Sequence, residues 1–251
     1  MAIDAWLLEQ HQNHQHPPTL RFYTWSPAAI SLGVSQRRHC PNHWRQIRWQ
    51  GRPLDLVQRP TGGRGVLHQG DLTYAIVASH LPGDREQGYR HLCQFLVQGW
   101  GQLGVELRFG SPDRRYARSQ NCFGLATNAD LVDSLGTKRV GSAQLRRGPY
   151  ILQHGSMPIS PDPELVQQVF QGSGLLPPQS QPPIPIPRLI EALTQAAAQC
   201  FGDQMIPQPL TPQEWQAIQA LAAKTMARWF KPPSHYFGDP IWKAQPLGTR
   251  T

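Results

Sequence analysis

Cys122 and Lys138 are the two side chains of this 251-residue sequence best suited to covalent chemistry. A cysteine attacks as its thiolate, and a neighbouring positive charge lowers the thiol pKa from its usual ~8.5 toward neutrality. Lys138 could supply that charge, and its place between Gly136 and Gly141 gives it freedom to approach a carbonyl group. The residue types alone also permit a buried structural cysteine and a solvated surface lysine.

A glycine-rich segment, residues 59–68 (RPTGGRGVLH), is the second feature that could bind a ligand. The following residues, 71–77 (DLTYAIV), are β-branched and aromatic, which favours a strand. Phosphate-binding glycine loops require a helix directly after the glycines, so neither a P-loop nor a dinucleotide fingerprint is present. The segment is therefore predicted to form a wall for a ligand chain. With Cys122 and Lys138 it suggests an enzyme that handles carboxylic acids.

The spacing of apolar residues predicts the elements that must position these groups. We expect helices over 1–16, 88–104, 187–201 and 211–230, and strands over 20–23, 29–32, 71–77, 105–109, 129–135, 138–144 and 150–154. Nine prolines between positions 158 and 187 predict a loop and a wrapping arm there. This stretch predicts a boundary between a first domain, 1–187, and a small helical C-terminal appendage, 188–251.

Composition limits the classes of partner. Twenty-four Lys and Arg residues against 16 Asp and Glu give a net charge of +8, which attracts acidic partners. The arginines are scattered without an aromatic RNA-binding motif, so nucleic acid is not expected. No apolar run reaches the ~18 residues of a membrane helix, and the amino terminus lacks a signal-peptide pattern, which predicts a cytoplasmic protein. The cysteines form no C-x-x-C pair and the histidines near the amino terminus lack metal-ligand spacing, so neither disulfides nor a metal site are expected.

Four blocks recur in the order found in a known family. They are 59–74 (RPTGGRGVLHQGDLTY), Cys122-Phe123, 138–144 (KRVGSAQ) and 152–156 (LQHGS). Together they resemble the lipoate-protein ligase A and octanoyltransferase LipM family, within the biotin/lipoate protein ligase superfamily, over roughly residues 1–162. The resemblance implies an α/β (α+β) fold, a mixed β-sheet flanked by helices, with the acyl-transfer chemistry in domain 1–187.

The resemblance also implies roles for individual residues. Cys122 would accept the acyl group and Lys138 would stabilise the developing oxyanion. The residues expected to line the acyl chain are Arg59, Thr61, Gly62, Gly63, Arg64, Val66 and His68 on one wall, and Ala143 and His154 on the opposite wall. Both histidines could instead be core residues with satisfied nitrogens. Arg64 stands where ligases carry a third glycine, and Gln69 stands where an aspartate is common.

The implied activity is transfer of an octanoyl group from acyl carrier protein to a lysine of a lipoyl domain, either a glycine-cleavage carrier or a 2-oxoacid dehydrogenase subunit. The donor thioester is already activated, so no cofactor is expected. The alternative is a lipoate-protein ligase that uses ATP and Mg²⁺ to form an acyl-adenylate. That mechanism needs no thiol, and such ligases commonly need an accessory domain larger than the residues after 187. A third possibility is a catalytically silent relative that binds acyl groups or nucleic acid.

Overall fold

The computed structural model describes residues 1–36, 40–110, 130–171, 184–227 and 241–246. Its helices are α1 (Ala2–Gln12), α2 (Arg85–Gln102), α3 (Pro163–Phe170), α4 (Ile186–Phe201) and α5 (Pro212–Ala227), with a 3-10 helix at Asn42–Arg45. Its strands are β1 (Thr19–Tyr23), β2 (Ala29–Leu32), β3 (Arg48–Trp49), β4 (Arg52–Pro53), β5 (Asp55–Gln58), β6 (Val66–His68), β7 (Asp71–Ser79), β8 (Arg108–Phe109), β9 (Asp130–Val132), β10 (Lys138–Arg147), β11 (Tyr150–Pro158), β12 (Asp203–Gln208) and β13 (Ile241–Pro246).

An eight-stranded sheet forms the centre of the fold. Its strand order is β12-β13-β1-β7-β11-β10-β9-β8, and every neighbouring pair is antiparallel. The middle strand β7 is buried along almost its whole length because helices cover both faces. Ile76 and Ala78 pack toward α2 and α4, whereas Ala75 and Val77 pack toward α1 and α5. The predicted α/β fold with a sheet flanked by helices is confirmed, but this sheet is antiparallel and not mixed as predicted, because each of its strands pairs with an antiparallel neighbour.

A smaller sheet of three strands carries the glycine-rich segment. Its order is β5-β2-β6, with β2 parallel to β5 and antiparallel to β6. The glycines connect β5 to β6, and the apolar side of this sheet packs with α3 and the 3-10 helix around the buried Trp44. The segment is therefore held at both ends by strands, β5 and β6, and no helix follows the glycines, as the sequence predicted.

The prediction of a loop and a wrapping arm over 158–187 was wrong for its first half, where α3 forms. Asp162 caps this helix by accepting a hydrogen bond from the backbone N–H of Leu165 at 2.9 Å. Pro163 occupies the first turn, where a missing N–H costs nothing and the fixed φ of proline suits the helix. A proline is therefore a start signal here, and Pro187 lies in the first turn of α4 in the same way.

The chain after position 187 contributes to the same core as the chain before it. Helix α4 packs along α2, and its buried Leu189 and Leu193 join the cluster that contains Leu92 and Leu96 of α2. Strands β12 and β13, neither of which was among the predicted strands, extend the eight-stranded sheet. The division into a catalytic domain and an appendage remains a prediction. Within the described ranges, no helix is long and apolar enough to cross a membrane.

Candidate functional site

Lys138 is buried at the start of β10. Its Nζ lies 2.9 Å from Oδ1 of Asp130 at the start of β9, and the two side chains are 4% and 3% exposed. The register between these strands shifts between Lys138 and Val140, a local irregularity that re-aims side chains. A buried charge is tolerated when it is paired, so the carboxylate explains how an ammonium can sit here. The surface-lysine alternative is excluded, and a cation fixed in a sheltered place can stabilise an oxyanion.

Cys122 lies in the stretch 111–129, outside the described residues. The three cysteines that the structure does describe are Cys40, Cys93 and Cys200, all free thiols. Burial raises the pKa of each of them, and it raises that of Cys93 to about 12. Cys93 lies 3.3 Å from Nε2 of Gln153 in the core between α2 and the sheet. None of these three thiols is suited to react at neutral pH.

Arg59 turns back onto the glycine-rich segment. Its Nε donates to the carbonyl of Gly62 at 3.1 Å, and Nη2 donates to the carbonyls of Gly62 and Arg64 at 2.8 and 2.7 Å. Its Nη1 donates to the carbonyl and to Oγ of Ser31 at 2.9 and 3.1 Å. These bonds use the five N–H donors of a guanidinium. Arg59 is 5% exposed and acts on the shape of the segment.

The turn that follows β2 packs closely against the glycine-rich segment. A side chain at Gly33 would place its Cβ 2.3 Å from the carbonyl oxygen of Gly63, and the N–H of Val34 donates to the carbonyl of Thr61 at 3.0 Å. Gly63 itself has a φ of 97°, which glycine adopts without strain. A Cβ at Gly62, in contrast, would meet no described atom within 4 Å. Among the residues that the structure describes, the segment therefore borders open space at Gly62.

The two predicted walls meet through His154. This residue lies opposite Ala143 in the β10–β11 pairing, and its Nε2 is 2.7 Å from Oγ1 of Thr61 in the glycine-rich segment. Its Nδ1 is 3.3 Å from Oδ2 of Asp4 in α1, which also binds Arg21 at 3.0 Å. Burial lowers the pKa of His154, and the hydrogen bond with Asp4 opposes this only in part. The structure thus brings Thr61, Ala143 and His154 together, and their contact with an acyl chain stays a prediction.

His68 lies in the core beside the first wall. Its Nδ1 is 2.8 Å from Oδ2 of Asp71, and its Nε2 is 2.8 Å from Oγ of Ser31. The indole of Trp25 stacks on its ring with centroids 4.1 Å apart. Val66, two residues earlier on β6, is also buried. Both nitrogens of His68 are therefore satisfied, the arrangement of a core histidine.

Sequence reasoning missed the carboxylates that hold these groups. Asp130 and Asp71 lie at the starts of strands, and Asp4 lies in α1, 150 positions from His154. For Asp71 and Asp130 the available sequence signal was an aspartate at the start of an apolar strand. Among the described His, Cys, Asp and Glu side chains, no group of three or more could hold a metal ion.

The chain matches the family described as Lipoyl protein ligase A/B catalytic domain over residues 1–213. It belongs to this family. The match extends past the predicted domain boundary at residue 187. The family resemblance read from the ordered sequence blocks is therefore confirmed.

Curated relatives carry the name Octanoyltransferase LipM. The protein of Kyrpidia tusciae is 33% identical over 253 residues, covering 90% of this chain and 91% of the relative. The protein of Bacillus subtilis (strain 168) is 35% identical over 181 residues, covering 68% of this chain and 64% of the relative.

Solved structures share the fold. "Crystal structure of lipoate-protein ligase A bound with ATP" aligns with a TM-score of 0.71 at 18% identity over 89% of this chain and 90% of the other. A bipartite lipoate protein ligase from Thermoplasma acidophilum, solved in work that also covers its E2 lipoyl domain, aligns with a TM-score of 0.65 at 18% identity, over 89% and 88%. At this identity the likeness concerns the fold alone.

Proposed function

We propose that the chain is an acyltransferase that moves an octanoyl group from acyl carrier protein to the ε-amine of a lysine on a lipoyl domain. The observation that carries the proposal is the fixed, buried ammonium of Lys138 in a chain that is 33% identical, over 90% of its length, to a protein named octanoyltransferase. The net charge of +8 supports acidic protein partners for both steps.

The proposed reaction has two balanced acyl transfers. The thiolate of Cys122 attacks the donor thioester carbonyl, a C–S bond forms, and collapse of the tetrahedral intermediate expels the carrier thiolate, which takes up a proton. The neutral amine of the acceptor lysine then attacks the Cys122 thioester. A C–N bond forms, the thiolate leaves, and the amine loses its proton. Lys138 stabilises the oxyanion in both steps, a contribution on the order of 10²–10³ in rate for one donor.

The acyl chain is proposed to lie along the glycine-rich segment. Open space at Gly62 supports this placement, since an added Cβ there would meet no described atom. Thr61, Gly63, Arg64 and Val66 continue that wall, and Ala143 with His154 forms the opposite one. Arg59 and His68 belong to the first wall through the bonds that hold it. An uncharged chain suits a slot of glycine, alanine and valine.

No cofactor is needed for this proposal because the donor thioester is already activated. The second candidate is a lipoate-protein ligase that consumes ATP with Mg²⁺. The shared fold with a ligase described as bound to ATP favours keeping this alternative. In it, Lys138 would contact an acyl-adenylate and Cys122 would have no covalent role.

The deciding experiment is an intact mass measurement after incubation with octanoyl acyl carrier protein. We expect an octanoyl adduct on the wild-type chain that is absent in Cys122→Ala and present in the matched control Cys93→Ala. Transfer of the octanoyl group to an added lipoyl domain completes the test. Formation of an adenylate from ATP and free lipoate, without the adduct, would establish the ligase instead. If neither the octanoyl adduct nor the adenylate forms, the chain is the catalytically silent relative.

A further inference from the structure

A buried carboxylate lies at the junction of the two sheets. Oδ2 of Asp71, the first residue of β7, accepts hydrogen bonds from Nδ1 of His68 at 2.8 Å, Oγ1 of Thr73 at 3.1 Å and Oγ of Ser156 at 2.5 Å. The Asp71 side chain is 2% exposed. A carboxylate only accepts, so the His68 proton on Nδ1 points toward it.

That proton sets the direction of the next bonds. When Nδ1 donates, a neutral imidazole accepts at Nε2, and the partner of Nε2 in His68 is the Ser31 hydroxyl at 2.8 Å. The oxygen of Ser31 in turn accepts from Nη1 of Arg59 at 3.1 Å. A continuous chain of hydrogen bonds therefore runs from Asp71 through His68 and Ser31 to Arg59.

The order Ser–His–Asp is the order of a hydrolase triad, yet the environment excludes that role. Ser31 is 1% exposed, and its oxygen already lies 2.8 Å from Nε2 of His68 and 3.1 Å from Nη1 of Arg59. Its oxygen already accepts from Arg59, which weakens it as a nucleophile. These hydrogen bonds are suited to fix the positions of side chains and not to cleave a substrate.

The last member of the chain touches the glycine-rich segment directly. Arg59 donates to the carbonyls of Gly62 and Arg64 within that segment. At the other end, the His68 ring is clamped by Trp25, which lies nearly parallel to it at 18° and donates from Nε1 to Thr73 at 2.9 Å. Neither the ring nor the guanidinium can rotate without breaking a buried hydrogen bond.

We propose that Asp71, His68 and Ser31 are positioning residues that hold Arg59, and through it the glycine-rich segment, in the shape that accepts an acyl chain. The inference rests on the proposed function only in naming the ligand as an acyl chain. The mechanical link from the large sheet to the segment stands on the hydrogen bonds alone. None of the three residues needs to touch the acyl chain.

The test compares two buried serines of the same network. Ser31→Ala removes the link between His68 and Arg59, whereas Ser156→Ala removes a hydroxyl from the same carboxylate without breaking the chain of bonds. Hydrogen exchange of residues 59–66 in the full chain is the measurement, because it does not depend on catalysis. We expect Ser31→Ala to speed exchange there about tenfold, the value of one hydrogen bond from a charged donor, and Ser156→Ala to leave it close to wild type.

Steady-state kinetics give the second measurement. In Ser31→Ala we expect KM for the octanoyl donor to rise several-fold with little change in kcat, because Cys122 and Lys138 are untouched. Ser31→Thr, which keeps the hydroxyl, should restore both readouts. If Ser31→Ala does not fold, Ser31→Cys, which weakens the bond at similar volume, carries the same comparison.

Equal acceleration of exchange in the Ser31 and Ser156 variants would overturn the proposal, since it would mean general loosening of the core. Unchanged exchange in Ser31→Ala would overturn it as well. A wild-type chain that forms no octanoyl adduct would refute the proposed function, while the exchange comparison would still decide whether the positioning chain exists.

Discussion

The ammonium of Lys138 and the carboxylate of Asp130 approach to 2.9 Å in a place where less than a twentieth of either side chain reaches solvent. The carboxylate fixes where the positive charge sits, and burial makes that charge act over a low-dielectric path. Each partner also prevents the other from being an uncompensated buried charge. The pair therefore links catalysis and stability, and variants can separate the two.

Lys138→Met should lower both the rate of octanoyl transfer and the stability of the fold. We expect octanoyl transfer to fall about 10²–10³-fold because one oxyanion donor is lost. The free energy of unfolding should fall by about 3–5 kcal/mol because the buried carboxylate of Asp130 loses the ammonium that compensates its charge. Urea unfolding and a transfer assay measure the two effects. The double variant Lys138→Met/Asp130→Asn, which removes both charges, should recover much of the stability and none of the transfer. Normal transfer in the double variant would contradict a catalytic role for Lys138.

Gly33 and Gly62 should respond oppositely to alanine. At Gly33 the new Cβ would lie 2.3 Å from a backbone oxygen, so Gly33→Ala should lower the free energy of unfolding by about 1–3 kcal/mol and displace the glycine-rich segment. Gly62→Ala meets no described atom and should fold with wild-type stability. Because Gly62 borders the proposed slot, the KM of the Gly62→Ala enzyme for the octanoyl donor should nevertheless rise. A Gly62→Ala enzyme with unchanged KM would place the acyl chain elsewhere.

The buried His154 should make stability depend on pH. Burial holds its pKa below the usual value near 6.5, so the unfolded chain binds a proton that the folded chain rejects as the pH falls below that value. The free energy of unfolding should therefore decrease from pH 7 to pH 5, by at most ~1.4 kcal/mol per pH unit for this group. His154→Gln should reduce that decrease. The exposed His14→Gln is the control, and an equal effect of both substitutions would rule out His154 as the cause.

Helix α4 should be coupled to α2 through Gly99. A Cβ there would lie 2.7 Å from a side-chain carbon and 3.0 Å from the Cα of Leu193. Gly99→Ala should lower the free energy of unfolding by about 1–3 kcal/mol. Gly101→Ala lies on the exposed side of the same helix, where the new Cβ would meet no described atom within 4 Å, and it should raise the free energy of unfolding by about 0.5–1 kcal/mol. Thermal or urea unfolding of both variants checks this. An unchanged free energy of unfolding in Gly99→Ala would mean that α4 does not pack tightly against α2 at this point.

Local patterns were enough to predict most elements of the central sheet. The apolar run 71–77 lies within β7, and the strands predicted around Gly136 pair as β9 and β10. The helix predicted over 88–104 from three- and four-residue apolar spacing overlaps α2. These signals depend on neighbours a few positions apart, so a single sequence contains them. The ordered motifs also led to the family. Helix α3 was missed although its Asp-Pro start was present, because the number of prolines outweighed their position.

The partners of the candidate site depended on how the strands pair. Ser31 meets His68 across 37 positions, and Asp4 meets His154 across 150, because antiparallel pairing and helix packing bring distant segments together. The direction of Arg59 was equally hidden, since a guanidinium can face a ligand or turn back to bind its own loop with the same residues around it. Residue types and their spacing indicate which side chains could react or bind a ligand. The tertiary structure decides which of them do so, because a side chain whose hydrogen bonds are all made within the packed core has none left for a substrate.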